Sequence, residues 1–203
     1  MLPGKIVCVG RNYRDHAKEL GNEVPKAPLI FLKPPSSVIA TGEPIMLPVA
    51  SSRVEFEGEI GIIIGAKLQR ASEAEALRAI GGIAAVNDVT ARDLQATDGQ
   101  WTRAKGFDSF CPLGVAGDPP ADLAGLTVVT RVNGVEKQRG VASDMVFSIP
   151  AVLSYISHVM TLEPGDLVAT GTPAGVAPLA PGDIVEVEIV GISHVSNGVK
   201  ASR

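Results

Sequence analysis

The chain has 203 residues, and what it is short of removes several classes of function. It carries two cysteines, Cys8 and Cys111. They are far apart and neither sits in a C-x-x-C pair, so no disulfide framework is expected. Basic residues are in deficit: 18 Lys and Arg stand against 22 Asp and Glu, a net charge of −4. That balance argues against a nucleic-acid partner, which would require a basic face. No apolar run approaches the ~18 residues that suggest a membrane span. The short apolar stretch Ile6–Val9 has neither the charged leader nor the cleavage site of a signal peptide. The expectation is a protein of the reducing cytoplasm with no membrane partner. G-x-G-x-x-G, Walker A, G-x-S-x-G and H-E-x-x-H patterns are all missing. Their absence disfavours a dinucleotide enzyme, an NTPase, an α/β hydrolase and a zincin.

What the chain does have is enough apolar residue for a sizeable core, 45% against 20% charged. The length suits one large domain, expected to span residues 1–203. Strand signals outnumber helix signals. Ile6–Val9 and Leu29–Lys33 read as strands, the second stopped by Pro34–Pro35. A helix is expected from about Tyr13 to Leu20, capped by Asn12. Ser72 with Glu75 forms a capping box for a helix ending near Gly81–Gly82. Ile83–Val86 is a short buried strand, followed by a polar stretch from Thr90 to Phe110. Asn133–Gly134 suits a type I′ turn between two strands. Ile149–Met160 has helical spacing with Pro150 in its first turn. Pro164–Gly165–Asp166 and Pro181–Gly182–Asp183 are matching type II turn entries to strands. With short connections throughout, this pattern points to a β-rich α+β fold.

The most informative run is Arg53–Val–Glu–Phe–Glu–Gly–Glu–Ile60. On a strand, Glu55, Glu57 and Glu59 would share one face. Like charges that close repel, so the face is either solvated or holds a cation. Glu186 and Glu188 have the same spacing, with Val185, Val187 and Ile189 between and beside them, and read as a solvated face. The first run differs because it leads directly into the buried Gly–Ile–Ile–Ile–Gly segment. Asp88, at the exit of a core strand, suits a ligand or equally a turn. Carboxylates without a His or Cys cluster favour Mg²⁺, Mn²⁺ or Ca²⁺ over Zn²⁺. His16 and Glu19, at i and i+3, share a helix face. They could form a proton-accepting dyad or a plain surface ion pair. His158 and His194 have no such partner and read as structural. Lys105, beside Gly106 and amid aromatics, is an electrostatic stabiliser or a loop lysine.

Five segments in order resemble the fumarylacetoacetate hydrolase family. They are Gly10–Arg–Asn–Tyr–Arg–Asp–His–Ala–Lys–Glu19, Glu57–Gly–Glu59, Asn87–Asp–Val–Thr–Ala–Arg–Asp–Leu–Gln95, Lys105–Gly–Phe–Asp–Ser–Phe–Cys–Pro–Leu–Gly114, and Thr161–Leu–Glu–Pro–Gly–Asp166 with Thr170–Gly–Thr–Pro–Ala–Gly–Val176. The resemblance implies a mixed β-sandwich roll, a homodimer, and a short form without a separate N-terminal domain. It implies Mg²⁺ or Mn²⁺ held by Glu57, Glu59 and Asp88, with Glu55 outside that set. It makes His16–Glu19 a water-activating dyad on a lid and Lys105 an active-site lysine. Arg92, Gln95 and Thr172 fall where relatives contact substrate, and Arg11 and Tyr13 are expected lid contacts. The segment Gly191–Ile–Ser–His–Val–Ser196 departs from the family pattern, where a less polar turn is usual. The implied activity is hydrolysis of the C–C bond of a 3-acylpyruvate, a β-diketo acid. Isomerisation of 2-hydroxyhepta-2,4-diene-1,7-dioate and decarboxylation of oxaloacetate are the alternatives. A non-catalytic, metal-stabilised relative is the remaining one.

Overall fold

The computed structural model of the chain describes residues 2–19, 21 and 23–202, without the side chain of residue 17. The first part runs β1 (Ile6–Gly10), α1 (Arg14–Glu19), β2 (Leu29–Lys33), β3 (Val38–Ile39), β4 (Ile45–Leu47), β5 (Val54–Glu55), β6 (Gly58–Ile64) and α2 (Glu73–Arg78). Next come β7 (Ile80–Asn87), β8 (Thr90–Ala91), α3 (Arg92–Asp98), α4 (Thr102–Lys105) and β9 (Cys111–Pro112). The last part holds β10 (Thr127–Val132), β11 (Val135–Val141), α5 (Ile149–Val159), β12 (Leu167–Ala169), β13 (Ile184–Ile189) and β14 (Ser193–Ala201). Among the described residues no helix is long and apolar enough to cross a membrane.

Two five-stranded mixed sheets dominate, in the orders β2-β1-β12-β6-β7 and β11-β10-β13-β14-β4. Only β1–β12 and β14–β4 pair in parallel within them. The main core lies between the sheets and under α5. Ile60, Ile62 and Ile83 from the first sheet meet Val128, Val187 and Ile189 from the second, and Val152, Leu153 and Ile156 of α5 close the layer. This is the β-rich fold that the strand-heavy pattern predicts, arranged as the mixed β-sandwich that the family resemblance implies. The Asn133–Gly134 turn has φ of 53° and 77°, the left-handed pair that a type I′ hairpin demands. Ser72 and Glu75 form the expected reciprocal capping box, and Ser148 caps α5.

Several expectations are corrected. The first helix begins at Arg14, not Tyr13, which instead bridges to Met145. Its expected end, Leu20, lies outside the described residues. Asn12 does not cap it. Its buried amide donates to the carbonyls of Phe147 and Thr170 and accepts from the Phe147 N–H. Tertiary partners here outbid the local cap. α2 ends at Arg78, and β7 starts at Ile80 and runs through both glycines. Gly81 can be a strand residue there because it faces Gly65 so closely that an added Cβ would lie 2.7 Å from the other Cα. The polar stretch after Thr90 contains two short helices, α3 and α4. The unusual polar turn before β14 is put to use: the Ser193 hydroxyl accepts from the Ala85 N–H and donates to the Val115 carbonyl.

The glutamate run is not one strand. β5 stops at Glu55 and β6 starts at Gly58, with Phe56 buried in a second apolar cluster between them. Beyond the break, alternation in β6 turns Glu59 away from the main core, on the face that carries Val86, its cross-strand partner. Phe31 and Lys33, paired with Cys8 and Ile6, share that face. It is here, on the outer face of the first sheet, that polar residues collect.

Gly58 is where the second sheet touches this region. A Cβ there would lie 1.9 Å from the Thr130 hydroxyl oxygen on β10. The Gly58→Ala variant is expected to lose about 1–3 kcal/mol in chemical denaturation, the usual size of an overpacking penalty. Thr130→Ala should recover part of that loss, because the Thr130 hydroxyl is buried with no hydrogen-bond partner and its own removal costs little. Equal losses in the single and double variants would show that the clash lies elsewhere.

Candidate active site

A cleft of about 280 Å³ opens over the outer face of the first sheet. Three carboxylates stand at its floor. Glu57 comes from the break between β5 and β6, Glu59 from β6, and Asp88 from just beyond β7. All three are nearly fully buried, and their oxygens lie within 4.8 Å of one another. Register produces this meeting: Gly58 pairs with Asn87 and Glu59 with Val86, so the start of β6 and the end of β7 coincide. The Glu57 carbonyl accepts from the Asp88 N–H at 2.8 Å, and the Asn87 side chain accepts from the Glu57 N–H at 3.0 Å.

Buried carboxylates this close need compensating charge. Lys105, at the end of α4, donates to Glu57 and Asp88, each at 2.7 Å. Its ammonium also lies 5.1 Å from the centre of the Phe31 ring. Lys33 donates to the other Asp88 oxygen at 2.6 Å and to the Val89 carbonyl. Arg92 holds Glu57 with one terminal nitrogen at 2.5 Å, Gln95 with the other at 2.6 Å, and Glu55 through Nε at 2.7 Å. Burial alone would raise the Glu57 carboxyl and lower the Lys105 ammonium. The ion pairs outweigh burial in both cases: Lys105 and Arg92 hold Glu57 far below the usual carboxylate range, and Asp88 and Glu57 keep Lys105 firmly charged.

Glu59 differs. Among the described residues its partner is a backbone group, the Gly171 N–H at 2.7 Å, and no cation. Burial pushes its carboxyl well above the ordinary range, and the charges of Asp88 and Glu57 push the same way. The cluster thus lacks positive charge at Glu59. An all-oxygen donor set of three carboxylates fits a hard divalent cation, Mg²⁺, Mn²⁺ or Ca²⁺, rather than a thiolate- or imidazole-seeking metal.

Glu55 stands outside the cluster of three carboxylates, and it is not solvated. It is fully buried and is paired with Arg53 and Arg92. The solvated control pair is also more engaged than expected: Glu188 pairs with Arg131, and Glu186 lies 3.5 Å from His194. Both remain half-buried on the face opposite Val185, Val187 and Ile189.

His16 is buried on α1 and lines the cleft. Its Nδ1 lies 3.2 Å from a Glu19 oxygen. The carboxylate selects the tautomer that carries its proton on Nδ1, which leaves the Nε2 lone pair to exchange a proton. Glu19 lies outside the lining and reaches further, accepting the Gly175 N–H at 3.0 Å. Arg11, Arg92, Gln95 and Thr172 also line the cleft. Arg92 and Gln95 are largely committed to each other and to the glutamates, whereas Arg11 holds φ of 59°, an uncommon backbone for arginine.

Tyr13 is not in the cleft. Its ring packs in the main core behind α1, and its hydroxyl is buried without a partner. Sequence reasoning also overlooked Lys33, Phe31 and Trp101. Lys33 closes an apolar strand before Pro34–Pro35, and a lysine in such a run was a usable signal. Phe31 and Trp101 form an edge-to-face pair with centroids 5.2 Å apart along one wall. Their pairing spans seventy residues of sequence and leaves no local mark.

This geometry has counterparts. A family model described as the fumarylacetoacetate (FAA) hydrolase C-terminal domain matches residues 5–200. The chain is 44% identical over 195 residues to the mitochondrial oxaloacetate decarboxylase of Dictyostelium discoideum, covering 93% of this chain and 89% of the relative. It is 44% identical over 203 residues to the mitochondrial oxaloacetate tautomerase FAHD1 of Arabidopsis thaliana, covering 97% and 91%. Among solved structures, the 2-hydroxyhepta-2,4-diene-1,7-dioate isomerase from Mycobacterium marinum superposes with a TM-score of 0.91 at 46% identity, covering 100% of this chain and 76% of that one. A match across nearly the whole chain, in both sequence and fold, leaves one conclusion: this protein belongs to the fumarylacetoacetate hydrolase family.

Proposed function

We propose that this protein is a divalent-metal-dependent enzyme acting on a 2-oxo acid through an enolate, with oxaloacetate as the best-supported substrate. The observation that carries the proposal is the placing of His16, held by Glu19, in the same small cleft as the Glu57–Glu59–Asp88 cluster and Lys105. Relatives at 44% identity bear the names oxaloacetate decarboxylase and oxaloacetate tautomerase, which supports that substrate over others.

Glu57, Glu59 and Asp88 would hold Mg²⁺ or Mn²⁺, with Ca²⁺ as the third candidate. A cation held there supplies Lewis-acid stabilisation to the 2-oxo group. Charge supports a dianionic substrate. Glu55, Glu57, Glu59 and Asp88 are matched by Arg53, Arg92, Lys33 and Lys105 when all are ionised. Two added positive charges would then be balanced by the two carboxylates of oxaloacetate.

The protein's own groups have distinct tasks. His16 Nε2 takes the proton from C3 as the C3–H bond breaks, and the electron pair moves to give the enolate. Returning that proton to the enolate oxygen completes tautomerisation. In decarboxylation C3 keeps its hydrogens: the C3–C4 bond breaks, carbon dioxide leaves, the electron pair stays as the pyruvate enolate, and a proton drawn from solvent through His16 is delivered to C3. Lys105, an ammonium in its ion pairs with Glu57 and Asp88, stabilises the developing negative charge. Arg11 and Thr172 orient the substrate from the cleft wall.

The second reading is hydrolysis of a 3-acylpyruvate, in which His16 takes a proton from water as the water attacks the distal carbonyl, the C3–C4 bond then breaks to release the carboxylic acid, and the pyruvate enolate that leaves is protonated at C3. The His16–Glu19 pair supports it equally well, since an imidazole so held serves water or carbon. Isomerisation of a dienedioate uses the same enolate logic and is supported by the name of a 46%-identical structure.

Two experiments test these assignments. Protein supplied with Mg²⁺ is mixed separately with oxaloacetate, acetylpyruvate and fumarylpyruvate, and enol absorbance, pyruvate and organic acid are measured. The reading predicts accelerated enol loss or pyruvate formation from oxaloacetate, slowed roughly 10²–10⁴-fold in His16→Ala, the usual size of an acid–base contribution. Organic acid released from the acylpyruvates alone would transfer the assignment to hydrolysis. For the metal, Mn²⁺ is expected to raise the wild-type melting temperature but not that of Glu57→Gln or Glu59→Gln. A variant that keeps the full shift would remove that residue from the ligand set.

A further inference from the structure

The end of β6 that carries the carboxylates lacks a strand neighbour on one side. β12 pairs with β6 only from Gly61 to Ile63. Gly58 and Glu59 therefore face a gap where a strand would otherwise stand, and Gly58 projects both its N–H and its carbonyl into it. Side chains fill the gap. Gln138 Oε1 accepts the Gly58 N–H at 3.0 Å, and the Thr172 hydroxyl donates to the Gly58 carbonyl at 2.9 Å.

Gln138 comes from β11, on the edge of the second sheet, and is 1% exposed. Its Nε2 donates to the Thr172 hydroxyl at 2.8 Å and to the Pro173 carbonyl at 2.7 Å. One amide thus spends its acceptor on the peptide between Glu57 and Glu59, and both donors on the loop that carries Thr172. That loop, residues 170–176, has further tethers: Thr170 donates to the Ile60 carbonyl through its N–H and its hydroxyl, and its own carbonyl accepts from the Asn12 amide. The Gly171 N–H donates to Glu59, and the Gly175 N–H donates to Glu19, the partner of His16. Gly175 has no room to adjust: its φ is 106°, and a Cβ would meet the Lys137 carbonyl at 2.1 Å. The loop is pinned against β11 at the point where Glu19 lands.

We infer that Gln138 is a positioning residue that couples the carboxylate cluster to the placement of α1, through the loop 170–176. The inference rests on the metal reading given above. Glu57 and Glu59 flank the Gly58 peptide, so the placing of both carboxylates depends on where that peptide is held. Gln138 ties that peptide to the loop that holds Glu19, and with it His16. Ordering one end should therefore order the other, over a continuous path of hydrogen bonds.

The test uses Mn²⁺ with the whole protein, Gln138→Met as the variant, calorimetry for affinity, and hydrogen exchange for order. In the wild type, Mn²⁺ should slow exchange in the segments 57–61 and 170–176 and also in α1. In Gln138→Met, Mn²⁺ affinity should fall about tenfold, and the slowing in α1 should disappear even where the metal is saturating. A merely structural glutamine would lower the melting temperature and leave both the affinity and the response of α1 unchanged; that result overturns the inference. Wild-type protein that binds Mn²⁺ without slowing α1 overturns it as well, and this arm stands even if the variant does not fold. Mn²⁺ that fails to bind the wild type at all removes the metal reading first and the coupling with it.

Discussion

Burying like charges together is the constraint on which this structure turns. Glu55, Glu57, Glu59 and Asp88 are all withdrawn from water within a short span of two strands. Two unit charges 4 Å apart repel by about 4 kcal/mol at an effective dielectric of 20. No apolar packing at that spot would offset several such terms. The chain answers with Lys33, Lys105 and Arg92 brought from three separate elements, plus Arg53 beside the run. The positions of β2, α3 and α4 follow from that need as much as from the core. α3 buries no residue completely and α4 has only four residues, yet each delivers one cation to the cluster.

The same arrangement separates holding from reacting. Glu57 and Asp88 are saturated by ammonium and guanidinium groups, while Glu59 is left with a backbone N–H. The site is therefore asymmetric before any ligand arrives. His16, lining the same cleft, meets Glu19 at Nδ1 and has no hydrogen-bond partner at Nε2 among the described residues. β6 and β7 pair with each other from Gly58–Asn87 to Ile64–Ile80 in the first sheet. The loop 170–176 meets β6 through the Thr170 N–H and a few bonds to side chains, and it holds α1 through Glu19.

Much of this could be read from residue order, wherever the signal was local. The Asn133–Gly134 hairpin, the Ser72 capping box and the helix beginning at Ile149 depend on neighbours within a few positions, and the structure keeps them. The five motif segments pointed to the family, and Glu57, Glu59 and Asp88 do come together. The failures share one physical cause. Asn12 has the chemistry of a helix cap but finds better partners at Phe147 and Thr170. Tyr13 sits beside cleft residues in sequence and points into the core. Lys33 and Gln138 each look like ordinary strand residues, because their partners lie 55 and 80 positions away.

The alternating glutamates show where the division falls. Composition and pattern establish a β-rich chain with carboxylates too close to leave unbalanced, because spacing on a strand is a property of the backbone itself. They do not say which carboxylate receives which cation. The strand breaks after Glu55, so alternation cannot carry all three onto one ligand face, and Arg92 then turns Glu55 into a structural partner. Register between β6 and β7 brings Asp88 to Glu57 and Glu59, and the cations arrive from distant elements. Charge balance in a buried site is a sum over space, and position along the chain enters it only through the fold.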